Sequence, residues 1–460
     1  MRKFRHPAKL ASDLKWVLWT AAAALWSALY QDVVGHTTIT FIGSYNLTVA
    51  EPVLALAIVS FVLLLHRRKP FRDVFALLSL CFVAIAGVDL FRGLLVEPFP
   101  AIVSLRTTGA PSAFLLIAVY LPRDEVLLRK ISSHFVAVAT LLSLLLCARL
   151  VFGPDLFLQT TFERIDEIND GGRALSAQGA LFIGVGAILL MSRLLRARRH
   201  VQKWPMYAIL ALLLCALILT RQATAIAASV TGMAIVFALA RGVGSWQPLR
   251  FLAAACVAGT AILLYLVTPN IASPQYLASV LPDFIAGDTF QRAANLGTRQ
   301  LVWQGLLVDF PTWSALSQGI GLPAGVRPTI FVERWGGVFW EVGLHSMYFG
   351  TLASAGVLGL AVYVGLLGTL TMGNMRRLRV PIPSVVDGAS GLAIGALCAV
   401  YGYSYDIHGN LPVLLLVAAV AMRPAPYVLR RGRPIPPQYG QDFLRSPATR
   451  AQHRIHAPLD

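Results

Sequence analysis

Along this chain the apolar positions come in long runs with few polar interruptions rather than in strand-like alternation or one-sided helical stripes. The runs lie at roughly 16–34, 47–65, 74–95, 101–121, 131–152, 174–192, 205–220, 223–240, 250–268, 343–371, 388–407 and 409–423. A helix needs about 20 such residues to cross a hydrocarbon layer, so the pattern predicts an all-α, polytopic integral membrane protein with about 12 transmembrane helices. The N-terminal Met1-Arg-Lys-Phe-Arg-His is basic like a signal peptide, but its apolar run is too long and lacks a convincing cleavage site; it is read as a retained first helix.

The links between runs set the expected orientation. Basic clusters fill His66-Arg-Arg-Lys69, Arg123 to Lys130, Arg193 to Lys203, Arg376-Arg-Leu-Arg379 and the C-terminal tail, and the positive-inside rule puts all of them, with both termini, in the cytoplasm. The opposite face then receives Glu97-Pro98, the acidic stretch Phe162 to Asp170, and the long segment 269–342. The expected organisation is helices one to nine over 1–268, one large periplasmic loop containing short helices over 269–342, helices ten to twelve over 343–423, and a disordered cytoplasmic tail over 424–460, rich in Pro and Arg.

Composition agrees with this reading and removes others. With 57% hydrophobic and 13% charged residues over 460, the chain falls outside the soluble range. A net charge of +17 would point a soluble chain towards nucleic acid; here most Lys and Arg sit in short loops, so the charge reports topology and nearby anionic lipid, with no nucleic-acid partner expected. The five cysteines all lie in apolar runs without ligand-like spacing, and are read as small core residues rather than disulfides or a zinc site.

The stretch from Asn295 to Tyr348 stands out as polar and Trp-rich. Arg299 and Trp303 are four apart in a helical pattern that ends at Pro311; Gly319-Ile-Gly321-Leu-Pro-Ala-Gly325 follows; Glu341-Val-Gly-Leu-His345-Ser-Met-Tyr348 leads into the tenth run. Arg299 over Trp303 is a cation-aromatic pair that leaves donors for an anion, or simply a surface helix. At the start of a helix, His345 favours neutral imidazole, as a base requires, while Glu341 would pull the other way; packing is the plainer alternative. Arg221, between the seventh and eighth runs, is either an interfacial arginine or a ligand for an anion. Asp89 and Arg92 in the third run most simply neutralise each other. With Arg106 in the fourth run, Arg92, Arg221 and Arg299 make up to four arginines near one face, and arginine clusters hold phosphates bidentately. Asp406 and His408 lie between the last two runs.

Several signatures are missing: a P-loop, His-Glu-x-x-His, Gly-x-Ser-x-Gly, and extramembrane acidic pairs at metal-ligand spacing. Chemistry driven by nucleotide or metal therefore has no support in the sequence, and no cofactor or metal site is expected.

Leu219-Thr-Arg221-Gln-Ala, Arg299 to Trp303, Gly319-Ile-Gly321, His345-Ser-Met-Tyr348 and Ala355-Gly-Val-Leu-Gly359, in this order, resemble the O-antigen ligase and polymerase superfamily, which includes exopolysaccharide polymerases. The resemblance covers roughly 205–372; Ser346 stands where these proteins often carry Asn. It implies a metal-independent glycosyltransferase in the bacterial inner membrane, working at the periplasmic face. The implied donor is an undecaprenyl-pyrophosphate-linked glycan and the acceptor lipid A-core or another glycan. Carried over, Arg221 and Arg299 hold the pyrophosphate and His345 is the catalytic base. Arg92, Arg106, Trp303 and Glu341 complete the candidate substrate-binding set. The single large outer loop and basic character tilt the expectation to a ligase, with a polymerase as alternative. Arg221 and Gly232 have the spacing of an Arg-x10-Gly polymerase motif, read as coincidence because Gly232 falls in a helix. A transporter or flippase is the more distant reading, since about 12 helices with both ends inside is a common transporter layout.

Overall fold

A computed structural model describes residues 11–34, 38–42, 45–152, 175–196, 204–220, 222–240, 299, 302–326, 328–332, 338–341, 346–378, 388–404 and 411–423. Its helices are α1 (Ser12–Val34), α2 (Ala50–Arg67), α3 (Val74–Val96), α4 (Pro98–Tyr120), α5 (Glu125–Phe152), α6 (Ala177–Arg196), α7 (Trp204–Leu219), α8 (Ala223–Ala240), the short α9 (Ala315–Ile320), α10 (Met347–Leu378), α11 (Gly388–Ser404) and α12 (Leu411–Met422). Every apolar run coincides with one of these helices except 250–268, which lies outside the described residues. Two antiparallel hairpins add to the all-helical expectation: β1 (Thr38–Ile42) pairs with β2 (Tyr45–Thr48), and β3 (Thr329–Val332) with β4 (Val338–Glu341), placing Phe41 opposite Asn46 and Ile330 opposite Trp340.

Among the described residues, five helices are long and apolar enough to cross a membrane: α2, α3, α5, α6 through Leu195, and α10. A sixth span arises if the two halves of α4, bent by 44° between Leu105 and Thr108, are one crossing; α7, α8, α11 and α12 are apolar but shorter. This is the composition of a helical membrane protein.

The packing distinguishes central from peripheral helices. In α6, 78% of the apolar window is buried, against 22% in α2 and α3. A helix that is apolar all round has to sit in a core or in lipid. α6 is the first kind, packed by α5, α7, α8 and α11. Close approach there depends on small residues: Gly186 faces Ala139 of α5, and Gly184 faces Ser229 of α8. Gly232 is likewise a packing glycine: a Cβ there would press on Ile188 and lie 3.3 Å from the Ala393 carbonyl oxygen. The outward faces of α2, α3 and α10 carry Val62, Leu65, Leu77, Phe91, Leu358 and Met372 in the open, as a lipid-facing surface does. Cys398 is buried, but Cys81 and Cys215 also lie on outward faces; the reading of all five cysteines as core residues fails for these two, because an apolar run shows no facing when both core and lipid are apolar.

Arginine and aspartate side chains tie off one end of the bundle. Arg68 at the end of α2 pairs with Asp13, and Arg423 with Asp73, whose carboxylate also caps α3 by accepting from the Ala76 nitrogen at 2.8 Å. Arg123 pairs with Glu125 at 2.7 Å and donates to the Ala421 carbonyl, while Arg377 donates to that of Met422 at 2.9 Å.

Candidate functional site at the opposite end of the bundle

At the other end, the Gly-rich segment after Trp313 is pressed into the helices. Ser314 caps α9, accepting from the Ser317 nitrogen at 3.2 Å, and the helix stops at Gly321, whose φ of 96° and ψ of −179° suit glycine alone. Gly321 lies against the backbone of Ser354 and Ala355 in α10. There, Gly356 has φ 65° and ψ −168°, interrupting the helix so that its own backbone meets Gly319 and Gly321. Gly325, φ 87°, turns the chain against Pro100 and Ala101 of α4, and Gly93 of α3 receives Ala324. Leu322 donates to the Ala353 carbonyl at 2.8 Å and Ala324 to that of Asp89 at 3.0 Å. The loop thereby completes its backbone hydrogen bonds on two helices.

Arg92 fastens this junction. One guanidinium nitrogen donates to Asp89 Oδ1 at 3.1 Å and to the Gly321 carbonyl at 2.8 Å, the other to Ser317 Oγ at 3.3 Å. The neutralising Asp89–Arg92 pair anticipated in the third run is present, and Arg92 does more than balance a charge, because the rest of its fork holds the loop. Asp89 Oδ2 is buried without a hydrogen-bond partner. A buried pair of this kind is strongly destabilising to break, because the remaining charge stays in the interior.

Trp303 belongs to a neighbouring aromatic cluster. The helical turn at 302–309 buries Val302, Trp303 and Leu306 against Leu352 and Ala353 of α10. The Trp303 ring is stacked on Phe349 (centroids 5.0 Å, 15°) and meets Tyr403 of α11 edge-on (5.2 Å, 68°), leaving it 4% exposed. Trp303 is thus mainly a packing residue in this fold, and it touches the first turns of α10. Arg299 is helical and half-buried. The two clusters join through Ala353, which packs with Trp303 and accepts from Leu322.

A third polar group at this end has no counterpart among the residues that the sequence singles out. Asp32, at the close of α1, is buried and accepts from the Ser176 nitrogen (2.8 Å) and hydroxyl (2.9 Å) before α6; Arg149 of α5 donates to the Asp32 carbonyl at 2.6 Å. Gln222, next to Arg221, donates to the Leu175 carbonyl at 3.4 Å, and Tyr401 of α11 to that of Ala177. The ends of α1, α5, α6, α8 and α11 are therefore knit together by these bonds.

Of the remaining candidates, Arg106 lies in α4 and Glu341 closes β4. Arg221, His345, Asp406 and His408 fall outside the described residues. Ser346, next to His345, is buried and donates to the Gly402 carbonyl at 3.4 Å, holding the start of α10 to the end of α11. A scan against protein-family models finds no match for this chain, and a search of curated proteins finds none either.

Proposed function

We propose that the chain is a metal-independent glycosyltransferase of the inner membrane, acting at the periplasmic face on an undecaprenyl-pyrophosphate-linked saccharide. In this reading about 12 helices cross the membrane, the arginine-rich end with Arg68, Arg123 and Arg423 is cytoplasmic, and the Arg92 end faces the periplasm. One observation carries the proposal. Of the sequence pieces that resemble the O-antigen ligase and polymerase superfamily, those at Trp303, Gly319-Ile-Gly321 and the first turns of α10 are packed on one another, Trp303 on Phe349, Gly321 on Ala355 and Gly356 on Gly319, while Gln222 of the Leu219 to Ala223 piece bonds elsewhere, to Leu175. Pieces that were adjacent only in a pattern are supported as parts of one local structure.

The chemistry follows from the residue types. His345 takes the proton from an acceptor hydroxyl as its oxygen attacks the anomeric carbon; the bond from that carbon to the phosphate oxygen breaks, and the pyrophosphate leaves on its lipid. Arg221 and Arg299 offset the charge that develops on the leaving group, with Arg106 and Glu341 lining the substrate. Arg92 acts here through the loop that it fastens. A ligase acting on lipid A-core is the preferred form, a polymerase of repeat units the alternative. A null mutant's glycan profile separates them: free lipid A-core with polymer retained on the carrier marks a ligase, and single repeat units mark a polymerase. Unchanged glycans would reject both.

A further inference from the structure

The loop 302–326 carries an apolar surface that its extramembrane assignment leaves unexplained. While Val302, Trp303 and Leu306 face the core, Leu307, Val308 (73% exposed) and Leu316 (58% exposed) point outward. The two helices on which the loop rests also expose large apolar side chains, Phe91 and Leu95 of α3 and Val357 and Leu358 of α10, and both are apolar enough to span a membrane.

Two helices independently give the height of this surface. A hydrocarbon layer of about 30 Å takes about 20 helical residues at 1.5 Å each. From Asp73, the polar cap of α3, that length reaches Gly93; from Arg376, near the end of α10, it reaches back to Gly356. These are the positions on which the loop rests, Gly93 under Ala324 and Gly356 under Gly319 and Gly321. Irregular backbone at that depth has to have its polar groups satisfied by protein. Leu322, Ala324 and the Gly321 carbonyl meet that condition through Ala353, Asp89 and Arg92.

We infer that residues 302–326 form an interfacial, monotopic element whose Leu307, Val308 and Leu316 enter the boundary between acyl chains and headgroups of the bilayer. Its partner is the lipid itself, and the inference does not depend on the glycosyltransferase reading. Interfacial helices bury their apolar face about 5–10 Å into this boundary.

The test uses the full chain with its five native cysteines replaced, carrying Val308→Cys or Leu316→Cys labelled with an environment-sensitive fluorophore. It is reconstituted in phosphatidylethanolamine and phosphatidylglycerol vesicles with nitroxide lipids at shallow or deep acyl positions. The expected result is blue-shifted emission, quenched more by shallow than by deep nitroxide and poorly by aqueous iodide. Val62→Cys on α2, facing lipid within a span, should show the opposite depth order. Water-like emission with strong iodide quenching overturns the inference. Shielding from both lipid and iodide overturns it as well, because a second copy or another protein then covers the surface.

Discussion

Replacing Gly356 by alanine tests whether the loop and α10 are built around a glycine contact. At φ 65° and ψ −168° the backbone occupies a region that is essentially glycine-only, and an alanine held there costs about 1–3 kcal/mol. Its Cβ would also stand 2.6 Å from the Gly321 nitrogen and closer still to Gly319, where forcing in a methyl costs about another 1–3 kcal/mol. The sum, about 2–6 kcal/mol, is a large part of ordinary protein stability, about 5–15 kcal/mol. The readouts are thermal unfolding in nanodiscs and amide exchange at Leu322 and Ala324, whose bonds to Ala353 and Asp89 depend on the contact. Gly368→Ala, on the same helix with nothing near the added carbon, is the control, and should be neutral or stabilising by up to about 1 kcal/mol. If Gly356→Ala matched Gly368→Ala in both stability and exchange, the reasoning would fail.

Other consequences are open to the same kind of check. Arg92→Ala should lower stability by about 3–5 kcal/mol by stranding Asp89, and Arg92→Ala with Asp89→Ala should recover part of it in the same unfolding assay; an undiminished single variant would show that the pair holds nothing. Arg299→Lys should lose nearly as much glycan transfer as Arg299→Ala, about 100- to 1,000-fold in turnover, if bidentate contact with pyrophosphate matters; a fully active lysine variant would assign Arg299 to packing. Trp303→Ala should cost about 3–5 kcal/mol in stability, since the ring fills the space between Phe349 and Tyr403; a loss of transfer with stability intact would instead make it a substrate contact.

The helices were legible because a hydrocarbon layer demands length and apolarity, and both are visible in a linear sequence. The hairpins were not: Thr38–Ile42 and Thr329–Val332 are too short to show a period against their surroundings. Facing was equally invisible, as Cys81 and Cys215 show, since lipid and core select the same residue types. In the candidate site, the Asp89–Arg92 pairing followed from its spacing, whereas the reach of Arg92 to Gly321 and Ser317 spans more than 200 residues. The Gly-rich loop was recognised as a loop, but only φ values and neighbouring backbones reveal why its glycines are required. Asp32 was not singled out because Ser176 and Arg149, which bond to it, are distant in the chain.

Glycan transfer can be measured on the purified chain in liposomes, with a polyprenyl-pyrophosphate-linked oligosaccharide, an acceptor and a metal chelator present. A metal-independent transferase with His345 as its base predicts transfer by the wild-type chain and none by an equally well-folded His345→Ala variant. Full transfer by that variant, or movement of the donor across the bilayer without any transfer, would contradict it.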